Sequence, residues 1–347
     1  MVGSEMNYYL LTGAGFSANW GGWIASEVFE YLLGCPEILA DDRLRDLLWN
    51  CQLKGGFEDT LAELQVRHSA GFAQQWSDKQ LRSLQNAVGR VFDDMNQSFA
   101  GRGALEFLRP ERLLQTTAER ALAAERTVQH FLMRFRAIFT LNQDLLLEHL
   151  YLSKSEVANG VKPELPGLER IQDARAPSGQ AWADSSWRPA PHQAPALHEK
   201  SQSYVKLHGS SNWYAPDGHR VLIIGGSKQQ TIGTFPILRS YLNMFEAALM
   251  TSGARLMVIG YGFRDNHVNE VLERAISAGL RLFIVDPNGA ELAFKLNRTR
   301  TAGQIAAASA LETMLKQAVV GGSRRRLSET FGVDHTEYNK IARFFES

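Results

Sequence analysis

Only two of the 347 residues are cysteines, Cys35 and Cys51. Their spacing suits neither a disulfide framework nor a zinc ribbon, which needs paired Cys-x-x-Cys elements. Free buried thiols are expected. Charge of one sign is also lacking: Lys plus Arg number 37 and Asp plus Glu number 37. No global field then draws in nucleic acid or a basic partner, and no direct nucleic-acid binding is expected. The opening Met1-Val-Gly-Ser-Glu-Met-Asn7 has no basic region followed by an apolar one. No apolar run nears the ~20 residues of a membrane span, so the expectation is a cytoplasmic protein with no membrane partner. Phosphate loops of the Gly-x-x-x-x-Gly-Lys-Ser/Thr kind are missing, and Gly225-Gly226-Ser227-Lys228 is not one. There is no Gly-x-Ser-x-Gly elbow. No histidine pair has a spacing such as His-Glu-x-x-His, and no metal is expected.

What is present is ordinary for a globular chain, 44% hydrophobic and 21% charged. The length allows one large domain with insertions, or two domains. The chain turns on Leu10-Leu-Thr-Gly-Ala-Gly-Phe-Ser-Ala18, where an apolar run stops at Gly13-Ala14-Gly15. Gly13, Gly15 and Ala18 fit the looser dinucleotide fingerprint, in which Ala replaces the third glycine. Two readings stand: a plain strand-to-helix turn, or a turn whose backbone N–H groups approach a phosphate. The acid that a dehydrogenase places about 20 residues later is missing. Glu30 and Asp41 lie near that distance but in predicted helix or loop, which disfavours hydride transfer.

Strands are predicted near 7–11, 137–142, 204–207, 220–224, 254–259 and 282–285, with helices between them. From 36 to 135 leucines and valines recur at helical spacing (Leu44, Leu47, Leu48, then Leu81, Leu84, Val88, Val91), predicting a helical insertion. Residues 153–203, with prolines 163, 166, 177, 189, 191 and 195, read as a long loop or lid. The tail 296–347 is predicted helical, broken at Gly321-Gly322-Ser323. The fold class is therefore α/β: a Rossmann-like, mostly parallel sheet with helices on both faces, a large helical insertion and a helical C-terminal tail. The principal domain is expected to span 1–295.

Polar sets at 13–17, 142–144, 208–212, 260–266 and 286–288 all fall at predicted strand ends, where ligands of such sheets bind. Asn142 and Asp144 read either as an Asx-capped turn or as groups for ligand hydroxyls and amides. His208 is either a satisfied structural histidine or a base.

Taken in order, these motifs resemble the sirtuin family. Gly13-Ala14-Gly15-Phe16-Ser17 looks like its Gly-Ala-Gly-x-Ser loop, and Thr140-Leu-Asn142-Gln-Asp144 like its Thr-x-Asn-x-Asp motif. His208-Gly209 looks like its His-Gly motif, Gly260-Tyr261-Gly262 stands where its Gly-Thr/Ser-Ser turn does, and Asp286-Pro-Asn288 follows the strand that carries its adenosine-binding Asn. Leu145 to Glu148 and Gly260 to His267 are similar to segments of a divergent prokaryotic branch. The zinc ribbon of protein deacylases and their Pro-Asp-Phe-Arg segment are absent. The resemblance implies NAD+ as substrate and hydrolysis to nicotinamide and ADP-ribose in antiphage defence. It also implies a homo-oligomer, or a HerA-type ATPase or Argonaute-like partner. It implies Asn142, Asp144 and His208 as catalytic residues: Asn142 for the ribose and a water, Asp144 for the nicotinamide amide, His208 as base. Gly13 to Ser17, Thr140, Gly209, Gly260 to Gly262, Asp286 and Asn288 would bind the dinucleotide. A zinc-free deacylase or ADP-ribosyltransferase, and a non-catalytic NAD or ADP-ribose sensor, are the alternatives.

Overall fold

A computed structural model describes residues 7–52, 55–69, 75–101, 126–152, 162–171, 181–225, 228–295, 310–332 and 334–346. The central sheet contains β1 (Tyr8–Thr12), β2 (Ala137–Thr140), β3 (Lys162–Glu164), β6 (Ser201–Lys206), β9 (Arg255–Ile259), β10 (Arg281–Val285) and β11 (Val319–Ser323). Its order is β11-β10-β9-β1-β2-β6-β3, and every neighbouring pair is parallel. β1 and β2 are buried along their whole length. Strands covered on both faces need continuous apolar sequence, which is why Tyr8 to Leu11 and Ala137 to Phe139 show no polar alternation.

The chain leaves β1 toward β2 on one side, while β9 leads to β10 on the other. The crevice of such a sheet opens where those directions diverge, at the carboxyl ends of β1 and β9. Both glycine-rich turns, at 13–15 and 260–262, lie there.

Among the described residues, seven helices run between β1 and β2: α1 (Ala14–Ala18), α2 (Ala25–Leu33), α3 (Pro36–Leu39), α4 (Asp42–Gln52), α5 (Phe57–Ser69), α6 (Gln75–Gly101) and α7 (Val128–Leu132). Residues 102–125 of the expected insertion lie outside the described residues. Leu44, Leu48, Leu61, Leu84 and Val88 join one continuous core with the sheet. The insertion thus packs onto the domain as a layer of it.

Two expectations are corrected. The described part of 153–203, read as loop, carries β3, β4 (Leu168–Arg170), β5 (Trp187–Pro189) and the start of β6. β3 is the edge of the main sheet, where Pro163 costs no ladder bond; its prolines hid it. β4 and β5 join β7 (Gly209–Tyr214) and β8 (Arg220–Leu222) in a second sheet, ordered β4-β5-β7-β8. In the tail, Gly321-Gly322-Ser323 is the end of β11 rather than a break between helices. A Cβ on Gly321 would lie 2.6 Å from Phe283 Cε2, so glycine is what lets this strand pass the ring. The rest of the described tail is helical, at Ala310–Ala318, Leu327–Thr330 and His335–Ala342.

The tail ends inside the core. Tyr8 Oη donates to the Phe345 carbonyl at 2.8 Å, and Phe344 and Phe345 pack on Tyr8 and Phe135. Phe344→Ala should therefore destabilise the protein by about 3–5 kcal/mol. A chemical-denaturation midpoint equal to wild type would show that the tail is not part of the core.

Candidate active site at the carboxyl ends of the strands

Why glycine stands at 13, 15 and 260 is visible in the packing of the two turns. The Gly13 N–H donates to the Ile259 carbonyl and the Gly15 N–H to the Gly260 carbonyl, each at 3.0 Å. A Cβ on Gly13 would lie 2.7 Å from the Gly260 oxygen, and one on Gly15 2.8 Å from Gly260 Cα. Gly260 has φ +64°, and a Cβ there would lie 2.3 Å from the Phe16 nitrogen. The turns touch backbone to backbone, a contact only glycine permits. This corrects the role expected for these amides: those of Gly13, Gly15 and Phe16 are taken by carbonyls of the protein itself. Ala14 is the exposed residue of the turn, and the Phe16 ring is buried against Trp20.

Ser17 joins the first turn to the second. Its Oγ donates to Asp144 Oδ2 at 2.8 Å and accepts from Asn142 Nδ2 at 2.9 Å. Asp144 Oδ1 accepts from the Leu146 N–H at 3.0 Å, the Asx turn read from the sequence. Thr140 Oγ1 accepts from Thr12 Oγ1 at 2.7 Å and from the Asn142 N–H at 3.0 Å, tying β2 to β1 where the turn begins. Thr140, Asn142, Asp144 and Ser17 are all buried. A ligand reaching Asn142 or Asp144 has to replace the Ser17 bonds.

Beneath this turn lies an ion pair that the sequence reading missed. Lys206 Nζ, wholly buried, donates to Glu148 Oε1 at 2.7 Å and to the Asp144 carbonyl at 2.5 Å. Tyr204 Oη donates to the other Glu148 oxygen at 3.2 Å. Asn96, from α6, was missed as well. It accepts from the Leu145 N–H at 2.8 Å and donates to Ser211 Oγ at 2.9 Å, bridging the turn after β2 and strand β7. A lysine next to apolar residues in a strand, and a Glu one helical turn beyond Asp144, were the available signals for the ion pair; Asn96 left none.

His208 follows β6. Gly209 beside it has φ +77°, and a Cβ there would lie 2.0 Å from the Val221 oxygen, so the glycine is required by the β7–β8 approach. The His208 ring lies beside the Leu141 backbone, immediately before Asn142. Its Nε2 faces His267 Nε2 at 2.9 Å. Burial pushes the His208 pKa down to about 3, with Lys228 and His267 adding to the effect while Asp265 and the Leu141 backbone oppose it. Burial lowers the His267 pKa as well. The expectation of a near-neutral pKa at His208 is thus corrected: the ring is a neutral imidazole.

The turn after β9 delivers His267. Phe263 takes the left-handed conformation at φ +54°, unusual for a bulky residue. Asn269 Nδ2 donates to its carbonyl at 2.8 Å and so holds it there. Tyr261 is buried, its Oη bonded to Asn269 Oδ1 and to the Asp265 backbone. It is a brace of the turn, and only Gly262 of the triplet is exposed. Asp265 precedes the helix Asn266–Ser277 and pairs through Oδ1 with Lys228 at 2.9 Å; Lys228 also meets Glu58 of α5 at 2.8 Å. Burial works against the charge on Lys228, but the two carboxylates outweigh it and raise its pKa.

Asp286 and Asn288 stand at the end of β10. Asp286 Oδ1 accepts from both the backbone N–H and Nδ2 of Asn288 at 2.8 Å, making a tight turn on the β9 side of the crevice. The structure thus brings Ser17, Asn142, Asp144 and His208 together and leaves Asp286 and Asn288 at the neighbouring strand end. A hollow lined by Tyr9, Arg136, Met244 and Thr251 lies at the amino ends of β1 and β2, away from these groups.

Residues 136–306 match the model of the SIR2-like domain family. The match starts at the edge of β2, so it takes in Asn142, His208 and His267 and leaves the Gly13 turn upstream of the insertion. No curated protein matches the chain.

Two outcomes follow from these side chains. Lys206→Met leaves Glu148 buried without its partner and should cost about 3–5 kcal/mol in denaturation experiments. His208 takes up its proton near pH 6.5 when unfolded and near pH 3 when folded. The unfolded state therefore binds more protons between those values, and the stability this group contributes is lost as pH falls from 6.5 toward 3. His208→Gln should flatten the pH dependence of the melting temperature in that window.

Proposed function

Because residues 136–306 match the SIR2-like domain family, we propose that the chain is a sirtuin-like NAD+ glycohydrolase, releasing nicotinamide and ADP-ribose. The observation that carries this is the cluster in which Ser17 bridges Asn142 and Asp144, with the His208 ring beside the Leu141 backbone that leads into it. It combines an amide, a carboxylate and a neutral imidazole at the crevice of a parallel sheet. Cleavage of the nicotinamide–ribose bond leaves an oxocarbenium-like ribose. The Asp144 carboxylate stabilises that cation when NAD+ displaces the Ser17 hydroxyl. Asn142, freed by the same displacement, orients a ribose hydroxyl or the attacking water. His208 accepts a hydrogen bond from that oxygen. A base lowered by burial suffices, because an oxygen bonding to a cationic carbon becomes strongly acidic and gives up its proton only then. Asp286 and Asn288 lie where the adenosine would reach, and the open face of the Ala14 turn serves the pyrophosphate.

The antiphage setting, the homo-oligomer and the ATPase or Argonaute-like partner belong to this proposal through the motif resemblance. Transfer to an acceptor other than water is the second reading.

Purified protein incubated with NAD+ should release nicotinamide, and Asn142→Ala and His208→Ala should each abolish release while still unfolding cooperatively above the assay temperature. Unchanged turnover in both variants would refute the assignment. The pH–rate profile of the wild-type protein should also show no loss of activity on acidification through pH 6.5. An inflection of that kind would mean that His208 carries an ordinary pKa.

A further inference from the structure

The sequence shows no metal spacing, yet folding brings two histidines 59 residues apart into contact, Nε2 to Nε2 at 2.9 Å. Asp265 offers an oxygen to the same point, with all three ligand atoms within 4.8 Å of one another. We propose that His208 Nε2, His267 Nε2 and a carboxylate oxygen of Asp265 form a site for a divalent first-row transition-metal ion.

Three observations carry this. First, both imidazoles are buried and neutral, the form that ligates metals. Second, an ion about 2.1 Å from each nitrogen sees them at an angle of about 90°, the angle between adjacent positions of an octahedron. Two histidines and one carboxylate on one face of an octahedron are an established donor set for such ions. Third, Asp265 gives only Oδ1 to Lys228, at 2.9 Å. Its Oδ2 has no hydrogen-bond partner among the described residues. A proton shared between the histidines fits the 2.9 Å distance but leaves that oxygen unused; an ion uses all three groups. Lys228, itself neutralised by Glu58 at 2.8 Å, then orients the ligating carboxylate from outside the coordination sphere.

The consequence rests on the reading of His208 as the proton acceptor. A metal occupies the Nε2 lone pair that this role needs, so the loaded protein should be silent toward NAD+ and active once the ion is removed.

The test is calorimetric titration of cobalt(II) into the full-length, chelator-treated protein. One ion per chain is expected, with stoichiometric binding lost in both His267→Gln and Asp265→Asn. Lys228→Met should weaken binding by about 10–100-fold. No binding to the wild-type protein overturns the site, as does unchanged binding in His267→Gln and Asp265→Asn. The wild-type titration decides even where a variant fails to fold. Nicotinamide release, followed in parallel, should fall with cobalt occupancy and return with EDTA. Stoichiometric cobalt binding in a protein that releases no nicotinamide under any condition would leave the site standing and refute the glycohydrolase reading instead.

Discussion

Everything at this site depends on one contact: two turns that meet without side chains. Gly13 and Gly15 lie directly on Gly260, and a methyl group at any of the three would come within 3.0 Å of backbone. That contact sets the distance between the ends of β1 and β9. It therefore also sets where Ser17 stands relative to Asp144 and where the 260–267 turn sends His267. The glycines act first as spacers between strand ends, and only through that spacing do they shape a ligand crevice.

The second constraint is burial. Ser17, Asn142, Asp144, His208 and His267 are all buried, and each has a polar partner inside the protein. Groups buried this way are costly unless paired, so the structure pairs them among themselves. The Lys206–Glu148 pair does the same one layer deeper and fixes the Asp144 carbonyl. The arrangement is rigid and already satisfied, which makes entry of a substrate an exchange of hydrogen bonds. Burial also decides the chemistry of His208: the imidazole stays neutral, and its Nε2 meets a hydroxyl or a metal ion in exchange for its direct contact with His267.

The fold was legible wherever an apolar run ended in glycine or a polar turn. β1, β2, β9 and β10 carry their burial on both faces as unbroken hydrophobic sequence, and their boundaries were read to within a residue or two. β3 was not legible, because a proline in an edge strand looks like loop. β11 was not either, because Gly321 and Gly322 look like a break until Phe283 is seen to lie over the first of them. At the candidate site, Asn142, Asp144 and His208 were singled out by their place at strand ends and by the motif resemblance. Asn96 was not, since an Asn in the middle of an amphipathic helix carries no signal until the helix is docked across the turn after β2 and strand β7.

The sequence by itself determined the parallel sheet and the order of the motifs along it, because these rest on local patterns of apolar and glycine residues; the SIR2-like match over residues 136–306 rests on those motifs as well. Only the tertiary structure decided what the glycines at 13, 15 and 260 are for. The distances that answer this run between segments more than two hundred residues apart, brought together by β1 pairing with β9. The same pairing turns two histidines with no common motif into neighbours at 2.9 Å.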